Sequence, residues 1–233
     1  MVATLVLVHG AWHGSWCWQH VTPLLADAGT PYVAVDLPGR DLYDDSDVVL
    51  AALDQLSGPV VLVGHSYGGA VVTDAGDHSA VASLVYLAAL ALDLGESCGS
   101  AAADDPDAAS IVHDGRPDLL ADAVVDDGLI ALDPANARLC LYDECAPEVA
   151  DWALPQLRPH GAASLGQEVR RAAWRTKPST YVVCERDLGL HPDLQRLLAK
   201  RSDRVVSWPT DHSPFLSAPD RVAELLVSAA GSA

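Results

Sequence analysis

Ser66 stands at the centre of Gly64-His65-Ser66-Tyr67-Gly68, a G-x-S-x-G, and its flanks decide what that spacing means. Four apolar β-formers at 60–63 run straight into the motif, and Ala70-Val-Val-Thr-Asp-Ala-Gly76 leaves it with helical character. A buried strand turning sharply into a helix holds the central residue in a strained conformation and thrusts its hydroxyl out at the carboxyl end of a parallel sheet. Side chains at Gly64 and Gly68 would collide with the neighbouring strand and helix. The helix start leaves backbone N–H groups free for an anion.

A serine hydroxyl is a poor nucleophile until a base takes its proton, and the base needs a carboxylate to orient it. On this architecture the chain order is serine, acid, histidine, each past the end of a strand. The chain supplies that order: Ser66, then Asp187 in Glu185-Arg-Asp187 after the β-run 181–184, then His212 after 205–208. Glu185, Asp193 and Asp211 are rivals for the acid. Asp187 is preferred because it sits a few residues past its strand, where its side chain can turn back. The two N–H groups that an oxyanion needs are assigned to Tyr67, after the nucleophile, and to Ala11 in the loop after the first strand. His65 is expected to point into the core, and His9 and His13 to hold the shape of their loop. No HExxH and no paired Cys/His spacing is present, so no metal and no cofactor is expected.

Short β-runs at 4–8, 32–35, 60–63, 81–87, 180–184 and 204–208 alternate with helical stretches at 16–28, 47–56, 192–200 and 218–229. That alternation predicts an α/β fold around a mostly parallel six-stranded sheet flanked by helices. Between 93 and about 157 the texture changes. Acidic residues face only Arg116 and Arg138, and prolines 106, 117, 134 and 147 break Ala-rich and Asp-rich helical pieces. This predicts a helical cap inserted at 93–172 into a core made of 1–92 and 173–233. Asp104-Asp105-Pro-Asp107 and Asp126-Asp127 lack EF-hand spacing and read as a solvated acidic face.

A net charge of −18 argues against nucleic acid and anionic membranes as partners. No stretch approaches the roughly 20 apolar residues of a membrane span, and the first residues read as a strand rather than as a signal peptide. Five cysteines, an odd number without a C-x-x-C, suit reduced thiols in a cytoplasmic enzyme. The acidic segment could face solvent or a second copy in a homodimer.

His9-Gly-Ala-Trp-His-Gly-Ser-Trp-Cys-Trp18, the G-x-S-x-G, Asp187 and Asp211-His212-Ser-Pro-Phe215 together resemble the α/β-hydrolase superfamily. The resemblance is nearest to the branch of plant methyl-ester esterases, hydroxynitrile lyases and small bacterial esterases. It covers nearly all of the chain and implies a Ser66–His212–Asp187 triad under a helical cap. The cyanogenic lyases of this branch carry a threonine where this chain has Gly10, and a lysine after the catalytic histidine. Here Ser213 follows His212 and cannot supply the cation that departing cyanide needs. The expectation is therefore a serine hydrolase cleaving a small carboxylic ester through an acyl-enzyme. The alternative is a cofactor-free lyase, oxygenase or cyclisation catalyst that uses the His–Asp pair. Trp12, Trp152 and Phe215 are the aromatic candidates for lining the pocket.

Overall fold

The computed structural model describes residues 2–111 and 115–233. Its frame is a sheet of β1 (Thr4–Val8), β2 (Tyr32–Val35), β3 (Val60–His65), β4 (Val81–Leu87), β8 (Ser179–Cys184) and β9 (Arg204–Trp208), ordered β2-β1-β3-β4-β8-β9. Every pairing in it is parallel. Side chains alternate across a strand, and both faces here are covered, so β1 from Leu5 to Val8 and β3 from Val60 to Val63 are apolar without a break. Val6, Val8, Val60 and Leu62 pack with Val49 and Leu53 of α2 (Leu42–Asp54) and with Val71 and Val72 of α3 (Gly68–Ala75). Leu5, Leu7, Val61 and Val63 pack on the other face with Leu25 of α1 (Thr22–Asp27) and with Val222 and Leu226 of α9 (Pro219–Ser232).

The order of strands decides where a site can be. β1 lies between β2 and β3, so the connections leaving β1 and β3 diverge, and a crevice opens at their carboxyl ends. Val8 pairs with Gly64, which sets the loop after β1 beside the turn that carries Ser66.

Three local expectations change. The single helix expected at 16–28 is a 3-10 turn at Ser15–His20 followed by the short α1. Pro23 lies at the start of α1; it has no N–H to give and its ring crowds the preceding turn, so the helix cannot run through it. The helix expected from 47 begins at Leu42, because Asp41 caps it by accepting from the N–H groups of Tyr43 (2.8 Å) and Asp44 (3.3 Å).

The chain between β4 and β8 is the third difference. It holds α4 (Pro134–Tyr142), α5 (Pro147–Ala153) and α6 (Ala162–Gly166), but also an antiparallel sheet of β5 (Val124–Asp126), β6 (Leu129–Ala131) and β7 (His160–Gly161). Asp127 and Gly128 both take positive φ, 45° and 74°, as a two-residue hairpin turn of the Asp-Gly kind requires.

The remaining helices are α7 (Pro192–Ala199) and α8 (Pro214–Ser217). All five cysteines are unpaired. Among the described residues no helix is long and apolar enough to cross a membrane, and no cluster of three or more His, Cys, Asp or Glu converges as a metal site.

Candidate active site

Ser66 sits between β3 and α3 with a φ of 51°, a left-handed conformation that a non-glycine residue adopts at a cost. Its surroundings hold it there. Ser66 N–H donates to the carbonyl of Leu87 (3.3 Å), and its own carbonyl accepts from Gly69 (2.9 Å) and Leu90 (3.0 Å). The two glycines are required by close approach. A Cβ at Gly64 would lie 2.6 Å from the Gly68 carbonyl oxygen, and one at Gly68 would lie 2.6 Å from those of Val8 and His9.

His212 follows β9, and its Nδ1 lies 2.7 Å from Asp187 Oδ2. Asp187 is fully buried, yet its charge is matched. Oδ1 accepts from the N–H groups of Gly189 and Leu190, both at 2.7 Å, and Oδ2 accepts from Gln195 Nε2, also at 2.7 Å. A carboxylate held this way fixes the imidazole with its proton on Nδ1 and its Nε2 lone pair free. His65 ties that histidine to the serine. Its ring lies 4.8 Å from the His212 ring, and its Nε2–H donates to the His212 carbonyl at 2.8 Å. No hydrogen bond joins Ser66 Oγ to His212 among the described residues; such contacts commonly tighten when substrate enters.

The rival acids lie elsewhere. Asp211 is buried and its carboxyl is pushed up by that burial, but it accepts from Ser217 Oγ (2.6 Å), Glu144 N–H (3.2 Å) and Ser213 N–H (3.3 Å). Glu185 and Asp193 both pair with Arg196.

The loop after β1 comes within contact of the serine: a Cβ at Gly10 would lie 2.9 Å from Ser66 Cβ. Among the described residues neither Ala11 N–H nor Tyr67 N–H has an acceptor; Ala11 adjoins Gly10, and Tyr67 adjoins Ser66. The Tyr67 side chain is anchored by its hydroxyl, which donates to the buried Asp45 Oδ2 at 2.7 Å. His9 and His13 shape this loop. His9 Nδ1–H donates to the Gly10 carbonyl (2.8 Å) while Leu37 N–H donates to its Nε2 (2.9 Å). His13 Nδ1–H donates to the Ala11 carbonyl (2.9 Å), and Tyr142 Oη donates to its Nε2 (2.9 Å). Burial lowers these histidines to about 4 and about 3, so both are neutral at pH 7.

Of the aromatic candidates, Trp12 stays with the loop. Its indole N–H donates to the Ile130 carbonyl of β6 (2.9 Å), and it lines a cavity of about 210 Å³ with Leu132, Ala137 and Leu157. Phe215 is fully buried beneath the site, 4.7 Å from the His65 ring and 5.3 Å from Trp18. Trp152 stacks edge-on against Trp16 at 5.4 Å and lies 5.8 Å from His20, away from Ser66's immediate neighbours. Sequence reasoning did not single out Gln195. It lies eight residues past Asp187, and nothing in its residue type or spacing marks it.

The fold and this arrangement are those of a hydrolase of the α/β class. The model of the alpha/beta hydrolase family matches residues 5–225, and the chain belongs to that family. It is 30% identical, over an alignment of 253 positions, to the alpha/beta hydrolase nvfD of Aspergillus novofumigatus, covering 98% of this chain and 97% of that protein. It is 29% identical to a carbendazim hydrolyzing esterase of Nocardioides sp., covering 97% and 99% of the two chains. The solved structure of a pyrethroid hydrolase from Sphingobium faniae matches with a TM-score of 0.81 at 25% identity, covering 100% of this chain and 98% of that one.

Proposed function

We propose that the protein is a carboxylic ester hydrolase that works through an acyl-enzyme on Ser66, with His212 as general base and Asp187 as its orienting acid. The observation that carries this reading is the 2.7 Å contact of His212 Nδ1 with the buried Asp187 carboxylate, on a histidine packed against the residue preceding Ser66. Relatives named as esterases and hydrolases of small molecules support the same class.

In this scheme Ser66 Oγ attacks the ester carbonyl as His212 Nε2 takes its proton. The developing oxyanion is held by Ala11 N–H and Tyr67 N–H. His212 then gives the proton to the departing alkoxide, leaving the acyl group on Ser66, and water repeats the sequence to release the acid. Every group comes from one chain, so the chemistry needs no second copy. Residues 93–172 act as the cap over the pocket: Trp12 reaches the Ile130 carbonyl, and Arg116 donates to the Asp187 carbonyl. Five unpaired cysteines suit a reducing, cytoplasmic setting.

Hydrolysis of p-nitrophenyl acyl esters of graded chain length, by wild-type and Ser66→Ala protein, tests the proposal. Serine-dependent turnover is expected, with kcat lowered by about 10⁴ or more in the variant. Full turnover by Ser66→Ala, with loss only in His212→Ala, would replace it with the lyase, oxygenase or cyclase chemistry that uses the His–Asp pair alone.

A further inference from the structure

We propose that Gln195 is a positioning residue for the reaction, holding and tuning the Asp187 oxygen that faces His212; the inference rests on the triad reading above. Gln195 lies on α7 and is fully buried. Its amide cannot turn over. Cys184 N–H, which can only donate, sets Oε1 at 2.9 Å, and the Leu190 carbonyl, which can only accept, takes an Nε2 proton at 2.8 Å. The second Nε2 proton then points at Asp187 Oδ2, 2.7 Å away.

That oxygen is also the one 2.7 Å from His212 Nδ1. The two donors share a single carboxylate oxygen, whereas Oδ1 is taken by the backbone of Gly189 and Leu190. Those two bonds do not involve the Gln195 side chain. Among the described residues, Gln195 is the one side chain besides His212 that bonds this oxygen. A donor on Oδ2 withdraws charge from it, so the imidazolium formed during turnover is stabilised less than by a bare carboxylate. It also stops the carboxylate from rotating away from His212. Losing it should raise the basicity of His212 and loosen its alignment together.

The other titratable groups around the pair stay constant in this comparison. His65 from β3 and His13 from the loop after β1 face His212, and burial holds both neutral through the working range. Tyr181 and Cys184 from β8 and Cys140 from α4 face Asp187, each pushed up by burial. Arg116 donates to the Asp187 carbonyl, and Asp211 is engaged by Ser217.

The test compares kcat, KM and the pH profile of kcat/KM on one p-nitrophenyl ester for wild type, Gln195→Leu, Gln195→Glu and Ser66→Ala, with Tm measured for each. For Gln195→Leu the expected result is a kcat about 10- to 100-fold lower at little-changed KM, with the acidic limb moved up by about one pH unit. Gln195→Glu should be active while its carboxylic acid keeps a proton to donate to Oδ2. It should lose activity as pH rises and two carboxylates meet edge to edge, a loss absent from wild type. If Gln195→Leu does not fold, Gln195→Glu carries the test alone. Wild-type kcat and an unmoved profile, with only Tm changed, would overturn the positioning role and leave Gln195 a structural tie between α7 and β8. Full turnover by Ser66→Ala would instead overturn the triad reading beneath it.

Discussion

Asp187 and Asp211 are both buried carboxylates near the end of a strand, and their partners tell them apart. Asp187 meets the imidazole; Asp211 meets a serine hydroxyl and two backbone N–H groups. Asp187→Asn should therefore lower kcat by about 10⁴ with the fold intact. Asp211→Asn should retain kcat within a few-fold, and steady-state kinetics on the pair separates the two. Gly10 yields a second expectation at this scale. A Cβ there would meet His65 Nδ1 at 2.8 Å and Ser66 Cβ at 2.9 Å, so Gly10→Ala must displace Ser66 or its neighbour. Activity of that variant should drop at least about 10-fold, measured on folded protein by circular dichroism and esterase assay. The placement of Ser66, Asp187 and His212 at strand ends was legible because each follows a readable strand in a fixed order. The contact of Gln195 with Asp187 was not, since it depends on how α7 packs on β8, a tertiary fact that no spacing records.

At the scale of elements, the loop after β1 depends on the chain between β4 and β8. Arg158 N–H donates to the Trp12 carbonyl (2.8 Å), and its guanidinium reaches the carbonyls of His13 (3.0 Å) and Leu37 (3.2 Å) and the Asp36 carboxylate (3.0 Å). Ala11 lies one residue before this clamp. Arg158→Ala should loosen the loop and lower kcat about 10-fold, less than the 10²–10³ of a deleted oxyanion donor. Arg158→Lys should recover only part, because a point charge keeps Asp36 and loses the fork to the two carbonyls. Unchanged kcat in Arg158→Ala would show that the loop holds its shape without the clamp. The sheet was readable from its apolar runs, which two covered faces impose. The small sheet was not: β5 and β6 have three residues each, too few for a period to show, although Asp127-Gly128 carried the turn signal.

Across the whole molecule, the buried histidines govern the response to acid. Burial lowers His9 to about 4 and both His13 and His160 to about 3, and holds His65 well below its ordinary value. The unfolded chain takes up these protons near pH 6.5, and the native chain does so only at the lowered values. Stability therefore falls as pH drops from about 6.5 toward 4. Asp45 and Asp211, raised by burial, act in the opposite sense but are fewer. Tm at pH 5 should lie below Tm at pH 7.5 by about 10 °C. An equal or higher Tm at pH 5 would contradict the neutral burial of these rings.

The account stands or falls on a covalent bond to Ser66. Intact-mass spectrometry after treatment with a p-nitrophenyl alkylphosphonate, followed by peptide mapping, reads it directly. One phosphonyl group on the peptide holding Ser66 is expected, with release of one p-nitrophenol and no labelling of Ser66→Ala. An unlabelled wild-type protein that still turns over p-nitrophenyl esters, or a label on any other residue, would contradict it.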